Sequence, residues 1–599
     1  MNWKNTWTLV GLAAALFAFI FFFERHLNPS GQVALPPPLF AKFKPTTAVT
    51  VQIRRGKDLS VTLERTNDAW RFSKPFAYPA AEFAVRNFLE ALERTVPATH
   101  ITAREILARK QTTADFGLDV PPVVITLEPG GQRLSLGART PAGDQVYVEV
   151  GGQAGVFIIG TELLAKVPAT THDWRNPALF HLGDEKPDRV EIAHGGAPYV
   201  LQLDDANKLW RLTSPSHRAD QLQVRQLLDK ILLGRVVEFV TDAPGADLEQ
   251  FGLAAPEYEV TLGSGPLLRK VQFGRAPTNN PGLVYARLLS HSNIVLVPKI
   301  TVEPLAVPYA ELRERQLAAF APEFVDVIEV SGEEKFTVRR DASGAWRAGD
   351  TPADAAFIEW WLGEMSRLEA TEFVRDVVTD FAPYGLAPGQ RQYTLRTAVT
   401  NGVGVTNVLL AQLAFGTNAA GQTKFARRWD EDSVYAIHPL QFSHLPVAAW
   451  QFREHRLWNF TTSQVARITV QQDGGVREVI REPSNVWIGT KGWTTDPNPF
   501  ALEETARGLG ELAARMWMGR GEAARAQFGF DANSPQLTVQ LHGEKPQLLT
   551  VEFGGTNALG LPYALTTVDG QPAVFEFPWT LYADLQRYFN LKAPARFRP

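Results

Sequence analysis

Short stretches in which apolar and polar residues alternate mark pairs of β-strands along this chain. The first pair is residues 49–53 and 59–63, joined by a turn at 55–58. A period of two places successive side chains on opposite faces of a sheet, so the pattern predicts a hairpin. The same pattern occurs four times, each time followed by a tryptophan. The four tryptophans are Trp70, Trp210, Trp346 and Trp487.

An amphipathic helix is predicted after each hairpin. In residues 81–95 the apolar side chains Phe83, Phe88, Leu89 and Leu92 are predicted to share one face, and Pro97 ends the segment. The matching segments are residues 221–233, 355–368 and 501–518. Each copy is also predicted to end in a short helix.

A tight turn built from an aromatic residue and a glycine follows each long helix. The glycine can adopt positive φ while its apolar neighbours enter a core. Strands follow each turn, and a second glycine and a second aromatic residue recur within them. The turns are Phe116-Gly117, Phe251-Gly252, Tyr384-Gly385 and Phe528-Gly529. The later glycines are Gly137, Gly274, Gly416 and Gly554, and the later aromatics are Tyr147, Tyr285, Phe425 and Tyr563.

These elements recur at roughly 140 residues, far above the period of a solenoid, so each copy is predicted to be a small α+β module. The predicted fold is α+β: an N-terminal transmembrane helix followed by four tandem hairpin-helix-antiparallel-sheet modules. A chain of 599 residues is too long for one hydrophobic core, which agrees with this division. The predicted boundaries are 1–27 for the anchor, 28–45 for a proline-rich linker, 46–182, 183–320, 321–461 and 462–592 for the modules, and 593–599 for a tail.

The N-terminal segment is apolar and carries no charge from Trp7 to Phe23. As a helix it would be about 25 Å long, which predicts a single membrane-spanning anchor. The alternative is a cleaved signal peptide, but no pair of small residues follows at the place where cleavage would occur. The anchor residues are Leu9, Leu16, Phe19 and Phe22.

Positive charge lies at the start of this segment, on Lys4 and the terminal amine. Positive charge stays on the cytoplasmic side, so we expect a single-pass inner-membrane protein with the bulk of the chain in the periplasm. The bilayer is then one predicted partner.

Composition excludes several classes of function. The formal net charge is -4, from 60 basic and 64 acidic residues that are mixed along the chain. Without a basic stripe, no nucleic-acid partner is expected. The chain has no cysteine, which excludes thiol catalysis, disulfides and cysteine-ligated metals and suits an oxidising compartment.

No recognised catalytic or nucleotide-binding motif is present, so we expect no catalytic residues, no cofactor and no metal. His438, His444 and His455 could form a metal site, but the other modules lack matching histidines, which favours structural or solvent-facing roles. Two pairs at matching places in the last helix of their modules, Arg313-Glu314 and Arg453-Glu454, are interpreted either as charges on the helix surface or as a contact between modules.

The combination resembles the DUF4340 family of bacterial domains of unknown function. The resemblance rests on the anchor, the hairpin with its tryptophan, the helix, the turns at 116–118 and 251–253, and the ending Leu312-Arg313-Glu314. It covers the chain after residue 45 as tandem copies, and Tyr384 and Phe530 depart from the turn pattern. It implies an envelope accessory protein of a bacterial inner membrane, with integral-membrane partners of an ABC-type export or gliding-motility-like system. It supplies no catalytic residues.

Three functions remain open on this basis. The leading hypothesis is a non-catalytic, membrane-anchored periplasmic scaffold or auxiliary protein of an envelope complex associated with ABC-type transport. The first alternative is a polysaccharide- or cell-wall-binding protein that presents the four repeated tryptophans for stacking. The second alternative is a hydrolase with an unrecognised pair of carboxylates.

Overall fold

The computed structural model describes residues 3–22, 37–183, 185–196, 198–291, 293–401 and 404–592. The chain divides into two compact units, Met1–Glu314 and Arg315–Pro599. Each unit contains two large antiparallel sheets. Each sheet with its helices is called a module here, numbered 1 to 4 along the chain. Helix α1 (Trp3–Phe22) precedes module 1.

Module 1 is a nine-stranded antiparallel sheet with three helices. Helices α2 and α4 pack on each other. Phe88, Leu89 and Leu92 of α2 pack on the buried face of the sheet. The helices are α2 (Glu82–Arg94), α3 (Ala103–Ala108) and α4 (Glu162–Lys166). The strands are β1 (Thr50–Arg55), β2 (Leu59–Thr66), β3 (Ala69–Lys74), β4 (Tyr78–Pro79), β5 (Thr99–Ile101), β6 (Val123–Glu128), β7 (Gln132–Arg139), β8 (Gln145–Val150) and β9 (Val156–Gly160).

The order of the strands is β4-β3-β2-β1-β6-β7-β8-β9-β5. Strand β1 pairs with β2 on one side and with β6 on the other, with Val51 opposite Leu63 and Leu127. The predicted hairpin and the strands after the aromatic-glycine turn therefore form one continuous sheet. The chain leaves this sheet for α2 and returns through the edge strand β5.

Modules 2 and 3 repeat this topology with nine strands each. Module 2 contains α5 (Gln221–Leu232) and the strands β10 (Arg189–His194), β11 (Tyr199–Leu203), β12 (Trp210–Ser214), β13 (Ser216–Arg218), β14 (Glu238–Thr241), β15 (Tyr258–Ser264), β16 (Leu267–Phe273), β17 (Leu283–Leu288) and β18 (Ile294–Pro298). Module 3 contains α6 (Ala355–Ser366), α7 (Pro439–Ser443) and the strands β19 (Val327–Ser331), β20 (Lys335–Arg340), β21 (Trp346–Ala348), β22 (Thr351–Pro352), β23 (Glu372–Arg375), β24 (Arg391–Asn401), β25 (Gly404–Thr417), β26 (Lys424–Arg428) and β27 (Val434–Ile437).

Module 4 has eight strands, because the described residues form no equivalent of the short edge strand β4. Its helices are α8 (Pro499–Gly510), α9 (Glu522–Gln527) and α10 (Trp579–Phe589). Its strands are β28 (Val465–Gln472), β29 (Gly475–Arg481), β30 (Trp487–Lys491), β31 (Trp517–Arg520), β32 (Gln536–Leu541), β33 (Gln547–Thr556), β34 (Pro562–Val568) and β35 (Gln571–Glu576). Four antiparallel sheets with helices make the chain an α+β protein of tandem modules.

The first three long helices confirm the predicted segments, with one correction to a buried face. Phe83 is 66% exposed, and Val85 occupies the buried face of α2 instead. A separation of five residues turns a helix by about 140°, so Phe83 cannot share a narrow face with Phe88, whereas Val85 lies three residues from it.

The fourth helix was predicted too long. Helix α8 ends at Gly510, and part of the remaining segment forms the edge strand β31, which pairs with β35. Glycines at 508 and 510 weaken helix propensity, and the Arg515 N–H donates to the Glu576 carbonyl (3.1 Å) at the start of this edge. Pairing with the sheet therefore outweighs the helical periodicity.

Candidate functional site

The four aromatic-glycine turns share one backbone geometry. Each glycine ends a short helical turn and has positive φ, a region that glycine enters without steric cost. The φ values are 67° at Gly117, 70° at Gly252, 65° at Gly385 and 77° at Gly529.

Each turn aromatic packs edge-on against the later aromatic of its own module. The ring centroids lie 4.9–5.1 Å apart, within the range that edge-to-face pairs prefer. Each pair belongs to a small apolar cluster separate from the main core. The pairs are Phe116–Tyr147, Phe251–Tyr285, Tyr384–Phe425 and Phe528–Tyr563.

The second recurring glycine lies directly under the turn. A Cβ added at Gly137, Gly274 or Gly554 would lie 2.3, 2.2 or 2.7 Å from the carbonyl oxygen of the turn aromatic, and one at Gly416 would lie 2.2 Å from the Gly385 carbonyl oxygen. Cβ atoms do not approach oxygen so closely, so the turn rests against the strand only because no side chain is present. The turn and strand glycines together form a structural lock in every module.

The four tryptophans lie in or against module cores. Trp70, Trp346 and Trp487 are 3–5% exposed, and Trp210 is half-buried against the core of module 2. The indole of Trp487 also donates to Glu503 (3.0 Å). A buried ring has no face free for a sugar, so Trp70, Trp346 and Trp487 do not offer the stacking surface that the polysaccharide hypothesis requires.

The anchor residues lie on α1. Leu16 and Phe19 are 57% and 60% exposed, while the side chains of Leu9 and Phe22 lie outside the described residues. Within the part of the chain that the structure describes, no helix is both long enough and apolar enough to cross a bilayer.

A buried arginine joins modules 1 and 2. Arg175, only 2% exposed, follows the last turn of module 1 and donates two hydrogen bonds to Asp242 beyond β14 (2.9 and 2.6 Å). Its guanidinium lies 3.8 Å from the ring centroid of Phe76 and 4.4 Å from that of Phe239. Paired charge and aromatic faces together compensate the desolvation of this cation.

Arg313 and Arg453 occupy the positions that match Arg175, and the prediction that they lie on a helix is wrong. Both follow a 3-10 turn and have extended backbone, and Arg313 forms a β-bridge with Ala219. Arg453 donates to Asp569 of module 4 (2.6 Å), which confirms the other interpretation, a contact between modules, at this residue. The sequence signal was the repeated arginine itself, but the carboxylate partners of Arg175 and Arg453 lie 67 and 116 residues away and follow no short motif.

A histidine and tyrosine cluster lies beside Arg175. His181 Nε2 is 3.2 Å from the Tyr78 hydroxyl, and the His291 ring packs on Tyr78 at 5.0 Å. Burial, followed by the charges of His291, Arg269 and Arg71, lowers the pKa of His181 to about 3. Burial also raises the pKa of Tyr78. The cluster is therefore uncharged at neutral pH, which suits a packed junction; no sequence motif indicated it.

The three histidines considered as metal ligands do not converge. His438 caps α7, His444 contacts both carboxylate oxygens of Glu576 (3.0 and 3.1 Å), and His455 Nδ1 lies 3.4 Å from Asp354. Burial raises the pKa of Asp354, but hydrogen bonds from His455 and Phe357 outweigh burial and lower it to about 2. Among the residues described, no three histidine or acidic side chains are grouped to hold a metal ion.

Comparison with known proteins gives one informative match. The family model described as "Domain of unknown function (DUF4340)" matches residues 70–208, 210–349 and 346–518, which is more than half of the chain. No curated protein matches. A solved structure described as "Ca2+-stabilized adhesin helps an Antarctic bacterium reach out and bind ice" aligns at 8% identity over 84% of this chain and 89% of its own, with a TM-score of 0.08. A score that low carries no argument.

Proposed function

Because this chain belongs to the DUF4340 family, whose function is unknown, we propose a function from its architecture: a non-catalytic, membrane-anchored scaffold or auxiliary protein of an envelope complex. The supporting observation is a repeated exposed apolar residue. The second residue of the long helix is Phe83 in module 1, Leu222 in module 2 and Phe500 in module 4, and these side chains are 58–75% exposed. A single exposed apolar residue is ordinary on a protein surface, so the partner contact is inferred from the recurrence of such a residue at one position in three modules.

The internal construction supports the same proposal. The turn aromatics pack within their own modules, and Trp70, Trp346 and Trp487 are buried in module cores. The ion pairs Arg175–Asp242 and Arg453–Asp569 connect neighbouring modules within each unit. Such joints favour stiff pairs of modules with long side faces, which suits a scaffold better than a hinged enzyme.

We propose the inner membrane as the location, with the modules in the periplasm. The apolar side chains of Leu12, Leu16, Phe17 and Phe19 on α1 are exposed, which is costly in water and favourable in lipid. The partner is proposed to be an integral-membrane component of an ABC-type system; this part rests on the family resemblance alone.

Topology can be tested with single cysteines, because the natural chain has none. Ala142→Cys lies in an exposed turn between β7 and β8, and Asn2→Cys lies at the predicted cytoplasmic end. A membrane-impermeant maleimide applied to spheroplasts is expected to label Ala142→Cys, and to label Asn2→Cys only after lysis. The reverse result would contradict the orientation, and release of the chain by an alkaline wash would contradict the anchor.

The partner surface can be tested by site-specific crosslinking. A photoreactive phenylalanine analogue placed at Phe83 or Phe500 is expected to capture integral-membrane proteins, whereas the same analogue at the exposed turn residue Asp144 is not. Replacing residues 1–27 by a cleaved signal peptide should abolish capture. Recovery of the chain without any partner from all positions would count against a scaffold.

A further inference from the structure

A pocket of about 390 Å³ that is open to solvent lies in the second unit, between helix α6 of module 3, residues 454–456 and residues 513–515 of module 4. It is called the junction cavity here. Phe357 and Trp360 of α6 line it together with Ala356, Ala513 and Ala514. This volume is within the range of small-molecule sites, about 300–1,000 Å³.

His455 forms the polar part of the wall. The residue is 5% exposed, its ring stacks on Phe357 with centroids 4.0 Å apart, and its backbone N–H donates to Asp354 (2.9 Å). Nδ1 lies 3.4 Å from the Asp354 carboxylate, and Nε2 is buried and has no hydrogen-bond partner among the described residues. A buried polar atom without a partner is uncommon in a folded protein, which distinguishes this wall of the junction cavity from ordinary core.

The other modules provide an internal comparison. Backbone hydrogen bonds from Val236 to Pro177, from Ala370 to Arg315 and from Ala514 to His455 define one repeated position. It holds proline, arginine and histidine in turn. The Asp354–His455 pair is thus confined to the last junction.

The space itself also comes from module-specific residues. Ala356 stands where the other long helices have Phe83, Leu222 and Phe500. Repeated β-bridges place Ala513 where earlier junctions have Arg235 and Glu369. Both of these small residues line the junction cavity.

A cation completes the site. The backbone N–H of Arg515 donates to the carbonyl oxygen of Glu576. The equivalent residues are Val237, which donates to Leu296, and Thr371, which donates to Ala436. The Arg515 side chain is exposed at the cavity, and within the described ranges its guanidinium has no hydrogen-bond or ion-pair partner. The Asp354 carboxylate, in contrast, already accepts N–H groups of Phe357 and His455. The remaining charged residues of the wall also have partners: Glu454 accepts the backbone N–H of Arg456 (3.0 Å), and the Arg456 side chain donates to the Trp458 carbonyl (2.9 Å).

We propose that the junction cavity binds a small organic monoanion, an aromatic carboxylate, with its ring between Trp360 and the alanines and its carboxylate on Arg515. Apolar walls with a few polar groups are the usual composition of such sites, and a guanidinium matches the geometry of a carboxylate.

The probe is 4-fluorophenylacetate, observed by ¹⁹F NMR line broadening with the full chain in lipid nanodiscs and empty nanodiscs as background. The neutral comparison is 2-(4-fluorophenyl)ethanol. The natural chain is expected to bind the acid saturably and at least about tenfold more tightly than the alcohol. Absence of saturable binding up to about 10 mM, or equal affinity for acid and alcohol, would overturn the proposal.

Two variants take their residues from module 2. Ala356→Leu, which introduces the residue found at 222, fills the cavity and should weaken binding of both probes by about tenfold or more. Arg515→Val, which introduces the residue found at 237, should weaken the acid about tenfold and leave the alcohol unchanged. Arg507→Val, an exposed helix arginine paired with Glu504, is the control and should bind as the natural chain does. If Ala356→Leu binds both probes normally, the ligand lies elsewhere; if that variant misfolds, the exposed Arg515→Val still decides the carboxylate contact.

Discussion

The lock between turn and strand can be tested most sharply at Gly274 of module 2. This glycine does not have positive φ, so its backbone suits any residue, and only the neighbouring atoms oppose a side chain. In Gly274→Ala the new Cβ would lie 2.2 Å from the Phe251 oxygen and 3.0 Å from the Gly252 carbonyl carbon. Both neighbours are backbone atoms, so they cannot rotate away and the turn itself must move. Overpacking of this kind costs roughly 1–3 kcal/mol, and we expect a value of about 3 kcal/mol.

Two control glycines in the same unit distinguish the destabilisation caused by a close contact from that caused by backbone strain. Gly265, in the turn between β15 and β16, has φ of +54° and no atom within 4 Å of an added Cβ, so Gly265→Ala tests strain alone. Its expected cost is about 1–2 kcal/mol. Gly245 has neither restriction, so Gly245→Ala is expected to be neutral or to stabilise by a few tenths to about 1 kcal/mol.

Hydrogen exchange of the peptide over β16, read by mass spectrometry on the full chain, measures the local free energy of opening. A cost of about 3 kcal/mol corresponds to exchange roughly a hundredfold faster, and about 1 kcal/mol to roughly fivefold. Should Gly274→Ala exchange no faster than Gly265→Ala, the close contact would not be part of the stable fold and the lock would have to be abandoned.

Three further predictions concern buried polar groups. Arg175→Met removes the two bonds to Asp242 and should destabilise the first unit by about 3–5 kcal/mol in calorimetry, whereas Arg211→Met, which breaks the exposed pair with Asp204, should cost less than about 1 kcal/mol. The pKa of His181 falls from 6.5 to about 3 on folding, so the unfolded chain binds the proton first. The stability of the first unit should therefore decrease as pH falls from 6.5 to about 3, by about 2 kcal/mol at pH 5. In urea titrations at stepped pH, His181→Phe should remove this pH dependence. The pKa of Asp354 falls from 3.8 to about 2 on folding. Its contribution of about 2 kcal/mol to the stability of the second unit is therefore present above pH 3.8 and lost as pH falls to about 2. Equal loss of stability in acid for Asp354→Asn and the natural chain would contradict this.

Local patterns predicted the repeated elements well because the forces that set them are local. The spacing of Phe88, Leu89 and Leu92 places them on one helical face regardless of what they pack on. The helix predicted to continue after Gly510 was wrong because the structure of that segment depends on distant residues. Met516 and Trp517 continue a helical apolar spacing, but their environment is set by β35, some sixty residues later. Pairing between distant segments decides such cases, and periodicity does not record it.

The junction residues could not be assembled from sequence. Asp354 and His455 are about a hundred residues apart, as are Arg453 and Asp569, and neither pair has a spacing that any motif describes. The histidines at 438, 444 and 455 are close in sequence yet serve three different contacts. Only the structure shows that Pro177, Arg315 and His455 occupy one repeated hydrogen-bonding position and that His455 lies beside an acidic side chain there.

The contrast between lock and junction indicates where the function of this chain should be sought. The lock residues are nearly the same in all four modules, because the close approach of turn and strand permits only glycine there. A match to the family through these residues therefore reports the fold and says nothing about a ligand or partner. The junction positions carry no such steric requirement, and there the modules differ in size, charge and hydrogen-bonding capacity. At one junction, these variable positions place a histidine and a cation beside a pocket. They are therefore better candidates for function than the glycines of the lock.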